Sequence, residues 1–193
     1  MARRIILAST SPFRRELLSR LQLPFETVAP EADESALAHE TPAATAERLA
    51  ESKARAISRH FPDALIIGSD QVAACGDLRF GKPGTRAAAV TQLQSMRDKE
   101  IVFHTGLCVL NSATSHAQLC CISTHVGVRN LTDEEINAYL SKEDALGCAG
   151  SAKSEGLGIS LLRYLRGDDP TALIGLPLIA LCEMLRAEGV ALP

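Results

Sequence analysis

The feature that most restricts the fold is a stretch near the start, Ile5-Ile6-Leu7-Ala8-Ser9-Thr10-Ser11-Pro12-Phe13-Arg14-Arg15. Its four apolar residues read as a buried strand. Ser11 then offers an N-cap oxygen and Pro12 a ring already set to the first helical φ, so strand passes to helix within a few positions. The predicted helix opens on two cations. Arg14 and Arg15 stand at the positive end of the helix dipole, where each costs roughly 0.3–1 kcal/mol unless negative charge lies in front. An anion held by the first-turn amides, the hydroxyls of Ser9, Thr10 and Ser11 and the two guanidiniums reverses that penalty, and phosphate suits such a donor set. The competing account is a solvated basic turn with Ser11 as a simple cap.

A chain of 193 residues is long enough for one domain with a sizeable core, or for two small lobes around a cleft. Hydrophobic residues at 46% with 22% charged residues exclude disorder. Met1-Ala2-Arg3-Arg4 and the short apolar run before Arg14 lack the apolar core of a secretory signal, and no run reaches the ~20 residues of a membrane span. A cytoplasmic protein with no membrane partner is expected. The six cysteines form no C-x-x-C and have no closely spaced histidines, so reduced, buried thiols are expected rather than zinc. A net charge of -3 argues against a nucleic-acid surface, so any phosphate must be met by a local basic cluster.

Along the chain, Phe13, Leu17, Leu18 and Leu21 give the first helix its apolar face, and Phe25 to Val28 reads as a short strand. The loop Ala29-Pro30-Glu31-Ala32-Asp33-Glu34 carries carboxylates suited to a divalent cation or to solvent. From residue 42 to about 59 the spacing of Ala46, Leu49, Ala50, Ala54 and Ile57 predicts an amphipathic helix whose stripe Lys53 interrupts. Lys53 either snorkels to water or faces a site. Ala64-Leu65-Ile66-Ile67 continues through Gly68-Ser69-Asp70-Gln71 into Val72-Ala73-Ala74 and reads as a central strand carrying a carboxylate. Asp70 must then be paired, protonated, or engaged with a metal or water, unless it closes a turn after Gly68. Gly81-Lys82-Pro83-Gly84 is a turn, and a helix follows from 85 to 96 with Val90, Leu93 and Met96 on one side.

Residues 101–110 and 119–128 form a predicted hairpin, and its histidines lack ligand spacing. Thr132-Asp133-Glu134-Glu135 is a capping box opening a further helix. Gly147-Cys148-Ala149-Gly150-Ser151-Ala152-Lys153-Ser154 nearly matches a P-loop, but no buried strand precedes it and Glu155-Gly156-Leu157-Gly158 is a poor helix start, so it is rejected. A strand is expected over 159–164 and a last helix after Pro177, ended by Gly189. Interleaved helices and strands predict an α/β fold with a mixed β-sheet.

Taken together, Ala8-Ser9-x-Ser11-Pro12-x-Arg14-Arg15, Arg48-Leu49-Ala50-x-x-Lys53-Ala54, Gly68-x-Asp70, Lys82-Pro83, Thr105-Gly106, Ala149-Gly150, Glu155-Gly156 and Gly175-Leu176-Pro177 make the chain resemble the Maf family of nucleotide pyrophosphatases over essentially its whole length. The resemblance implies a single Maf-like domain over 1–193. Its fold would be two-lobed, like that of the inosine triphosphate pyrophosphatases, with a cleft for a nucleoside triphosphate and a divalent cation (Mg, Mn or Co). It also implies hydrolysis between the α and β phosphates, and leaves room for a homodimer.

At the positions of Phe13, Gln71 and Glu155 the family's branches differ, and an aromatic residue, Gln and Glu resemble the 7-methyl-GTP branch. Ala152, where the family usually has an aromatic residue, and Phe13, where a close relative often has Trp, depart from that pattern in ways that bear on base stacking. The expected roles are therefore Ser9, Ser11, Arg14, Arg15, Lys53 and Lys82 on phosphate, Asp70 in catalysis, Glu34 and Asp70 on metal, and Phe13, Gln71 and Glu155 on the base. The alternative implied by the family name is a non-catalytic nucleotide-binding regulator of septum formation. A carboxylate at Asp70 separates the two, because a pure binder gains nothing from it.

Overall fold

The computed structural model describes residues 3–193, so Met1 and Ala2, on which part of the leader reading rests, lie outside the described residues. The elements are β1 (Arg4–Ala8), α1 (Pro12–Ser19), β2 (Glu26–Val28), α2 (Pro42–Ser58), β3 (Ala64–Cys75), β4 (Leu78–Phe80), α3 (Arg86–Met96), β5 (Glu100–Asn111), β6 (His116–Val128), α4 (Asp133–Lys142), β7 (Leu162–Arg166) and α5 (Leu178–Ala187). The seven strands follow the order β2-β1-β3-β5-β6-β7, with β4 beside β3. Strand β1 is parallel to β2 and β3, whereas β4 and β7 run antiparallel to their neighbours. The fold is thus α/β with a mixed sheet, as expected. Among the described residues no helix is long and apolar enough to cross a membrane.

Two compact units make up the chain. The first holds the described residues up to Gln71, with Thr105–Ile122 and Asp169–Pro193. Here β1 lies between its two parallel partners, with Ile6 beside Glu26 on one side and Ile66 on the other. Side chains alternate across a strand, so Ile5, Leu7, Leu65 and Ile67 pack with Leu17 and Leu18 of α1 and Leu181 and Leu185 of α5. Ile6, Ala8 and Ile66 pack instead with Ala50, Ala54 and Ile57 of α2. Helix α2 sits very close to the sheet. A Cβ on Gly68 would lie 2.0 Å from the Ala50 carbonyl oxygen, and one on Gly106 2.1 Å from that of Ala46, so both positions require glycine.

The second unit holds Val72–His104 and Ser123–Asp168. Helix α3 packs against α4, whose start carries the full capping box between Thr132 and Glu135. The buried line of α3 is Ala89, Leu93 and Met96, so Ala89 takes the place expected of Val90, which is half-buried. The strand expected over 159–164 is corrected: Leu157–Leu161 is a 3-10 turn and β7 begins only at Leu162. Gly158, buried against the Lys153 backbone, tightens that turn before the chain can extend. The P-loop look-alike is no P-loop, since Ala149–Ser151 is a 3-10 turn kinked at Gly150 (φ 68).

Candidate active site

Strand order alone marks a place for a ligand. From β1 the chain reaches β2 on one side through α1, then returns through α2 to β3 on the other, and ligands bind outside the carboxyl ends of parallel strands at such a reversal. The segment after β1 is Ser9-Thr10-Ser11. The part of β3 beyond the Ala8–Gly68 pairing begins Ser69-Asp70-Gln71.

Ser11 caps α1 as expected, its Oγ accepting from the Arg14 amide at 3.4 Å, and Ser9 Oγ accepts from the Ser11 amide at 3.1 Å. Each hydroxyl spends a lone pair on the backbone, which leaves its hydrogen to donate elsewhere. The two arginines part company. Arg14 turns inward, its Nε donating to the Gly175 carbonyl at 2.8 Å. Burial pushes its pKa down, and the carboxylates of Asp70 and then Glu34 push it back up. Arg15 is exposed and lines an open groove of about 720 Å³ together with Ser9, Thr10, Ser19, Leu23 and Phe25.

Lys53 is buried on α2, and its Nζ lies 2.5 Å from Asp70 Oδ1 and 2.7 Å from Glu34 Oε1. With its side chain only 8% exposed, Lys53 does not snorkel, and Asp70 is part of strand β3 rather than of a turn. The close seating of α2 at Gly68 brings these two residues together. Glu34 reaches them from the acidic loop, which Arg48 anchors. Arg48 donates to both oxygens of Glu40 at 2.7 and 2.8 Å and to the Ser35 carbonyl at 2.9 Å. The Arg48 hydrogen bonds draw the Glu40 carboxyl down to about 2.

Arg14, Lys53, Asp70 and Glu34 therefore form a cluster of two cations and two anions within the first unit. Among the described residues no group of three or more His, Cys, Asp or Glu side chains could hold a metal ion, so Glu34 and Asp70 would have to share one with ligand oxygens. Gln71 points to the other face of β3, where its Nε2 donates to Thr105 Oγ1 at 3.0 Å and to the carbonyls of Ala172 and Leu173 at 3.1 and 3.0 Å. Phe13 is half-buried on α1. Lys82 and Glu155 belong to the second unit, and both are exposed.

Three further residues shape the first unit's site. Gly175 (φ 121) turns its carbonyl to receive both Arg14 and Ser69 Oγ, the latter at 2.9 Å, and Thr105 is wholly buried beneath Gln71. Gly175-Leu176-Pro177 stands in the family pattern, but nothing in the sequence pairs it with Arg14. Thr105 also stands in the family pattern, but nothing in the sequence places it against Gln71, and Ser69 carries no separate signal, since a serine in a strand is unremarked until its partner is known. All six cysteines are free, and burial pushes the Cys108 thiol up to about 12.

Residues 4–188 match the family model described as Maf-like protein. A relative from Aromatoleum aromaticum named 7-methyl-GTP pyrophosphatase is 58% identical over 190 residues, covering 98% of each chain. Another of that name, from Cupriavidus metallidurans, is 57% identical over 96% of this chain and 93% of its own. A third, from Methylobacillus flagellatus, is 54% identical over 96% and 97%.

Proposed function

The chain belongs to the Maf family, and from that premise we propose that it is a nucleoside triphosphate pyrophosphatase converting 7-methyl-GTP to 7-methyl-GMP and diphosphate. The observation that carries the hydrolytic reading is the Lys53 ammonium buried between Asp70 and Glu34, with Arg14 close enough to feel both carboxylates. Cations alone would bind a triphosphate. Carboxylates among them weaken that binding and are explained by chemistry on water or metal.

Two carboxylates converging on one cationic point suit a hard divalent ion of the Mg, Mn or Co kind, which such pairs hold together with phosphate oxygens. When bound, the ion neutralises phosphate charge and lowers the pKa of water. Asp70 takes the proton of the attacking water as its oxygen closes on the α phosphorus, and the bond from that phosphorus to the bridging oxygen breaks. Arg14, Arg15, Lys53 and Lys82 neutralise the departing diphosphate, with the hydroxyls of Ser9 and Ser11 as further donors. Phe13, Gln71 and Glu155 select the base. Gln71 has its amide hydrogens engaged by Thr105, Ala172 and Leu173, which leaves its oxygen to accept from a donor on the base edge.

The family model spans residues of both units, which supports treating the chain as one functional domain, and the cytoplasm is its proposed place of action. Incubation with 7-methyl-GTP, GTP, UTP and TTP, with the released phosphate species identified, tests the proposal. Diphosphate with 7-methyl-GTP preferred is expected. Tight binding without turnover would favour the regulator, and orthophosphate as first product would overturn the cleavage site.

A further inference from the structure

We propose that Glu143 is a positioning residue for base selection, acting through Lys153 on the segment that carries Glu155; this rests on Glu155 reading the base. Glu143 caps the carboxyl end of α4, and its carboxylate serves two donors. Oε1 accepts from Lys153 Nζ at 3.0 Å and Oε2 from the Leu157 amide at 2.9 Å. One turn earlier on α4, the Tyr139 hydroxyl accepts from the Lys153 amide at 3.1 Å. The Lys153 carbonyl in turn accepts from the amides of Gly156 and Gly158 at 3.1 and 3.0 Å. Helix α4 thus holds residues 153–158 as a closed turn with Glu155 exposed on it. Gly156 permits the approach, because a Cβ there would lie 2.4 Å from Glu143 Oε2.

Charge gives Glu143 a second task. Lys153 sits in the field of both Glu143 and Glu155, with the Glu143 hydrogen bond the stronger influence on its ammonium. Were the ammonium to turn from Glu143 to Glu155, it would cancel the negative charge offered to a guanine ring made cationic by methylation at N7. Holding Lys153 at 3.0 Å, Glu143 leaves Glu155 its charge.

The test is kcat/KM for 7-methyl-GTP and GTP in the wild type, Glu143→Gln, Glu143→Gln with Lys153→Met, and Glu155→Gln. Glu143→Gln keeps an acceptor for the Leu157 amide but loses the ion pair, so the preference for 7-methyl-GTP falls about tenfold, through KM rather than kcat. Adding Lys153→Met removes the competing cation and restores it. A purely structural role would lower the melting temperature in both variants and give no restoration. An unchanged preference in Glu143→Gln, or a loss that Lys153→Met does not reverse, overturns the proposal while Glu155→Gln still lowers selectivity. If Glu155→Gln itself changes nothing, base reading by Glu155 fails, and the role of Glu143 falls with it.

Discussion

At the scale of the residue, Lys53 carries the most information per atom. Its sequence position, interrupting the apolar stripe of α2, already set it apart, and the structure supplies the cause in two carboxylates from distant segments. Lys53→Met keeps the apolar stem, yet it takes from Asp70, 13% exposed, its hydrogen-bonded cation and leaves it only the field of Arg14 beside Glu34. Loss of one partner from a buried pair is expensive whereas an exposed pair is worth little, and Glu34 is exposed enough to escape to water, so the expected cost is about 2–4 kcal/mol. Urea unfolding measures it. Asp70→Asn in the same background should recover most of the loss, and if it does not, the cost of Lys53→Met is one of packing. On its own, Asp70→Asn should cost on the order of 100-fold or more in turnover. Near wild-type turnover in that folded variant would leave Asp70 as a partner for Lys53 and nothing more.

Elements differ in how much of them the sequence discloses. The caps of α1, α2, α3 and α4 are all side-chain oxygens from Ser or Thr, local enough to be read without knowing the fold. The hairpin of β5 and β6 was legible from its apolar runs and polar turn, although both strands extend beyond the ranges expected. Residues 157–161 were not legible as a 3-10 turn, because what bends them is Gly158 against the Lys153 backbone and Glu143 on the Leu157 amide, contacts across the chain rather than along it.

The acidic loop is the other case. Its carboxylates suggested a metal or solvent, but the purpose of Arg48 is visible only once it is seen gripping Glu40 and Ser35. A carboxyl drawn from 4.5 to about 2 stabilises the fold fully above its unfolded value, and that contribution fades as pH falls from about 4.5 through 2. Glu40→Gln removes the titrating group, so its stability should vary less with pH in that window than the wild type's. Thermal melts at half-unit intervals of pH decide the matter, and parallel curves would show that another carboxyl governs the acid limb.

For the whole molecule the question is how a chain of net charge -3 handles a polyanion, and the answer lies in where its cations stand. Arg14 and Lys53 are tied to their own carboxylates or carbonyls, while Arg15 and Lys82 are exposed, and a chain of net negative charge meets a polyanion through local cations of this kind rather than through its overall charge. Phosphoryl transfer leaves little covalent work to the protein, and the rate depends on neutralising the leaving group. Under the proposed reading the cations lie along the β and γ phosphates, where they stabilise the charge that develops on a departing diphosphate. Water must then attack the α phosphorus. In water enriched in oxygen-18, the heavy oxygen should appear in the nucleoside monophosphate and be absent from the diphosphate, because the new bond forms on the phosphorus that stays with the nucleoside. Label in the diphosphate would place the attack on the β phosphorus with the same two products released. Asp70 would then have to deliver its water one phosphate further along, and the assignment of the cations to the leaving group would be wrong.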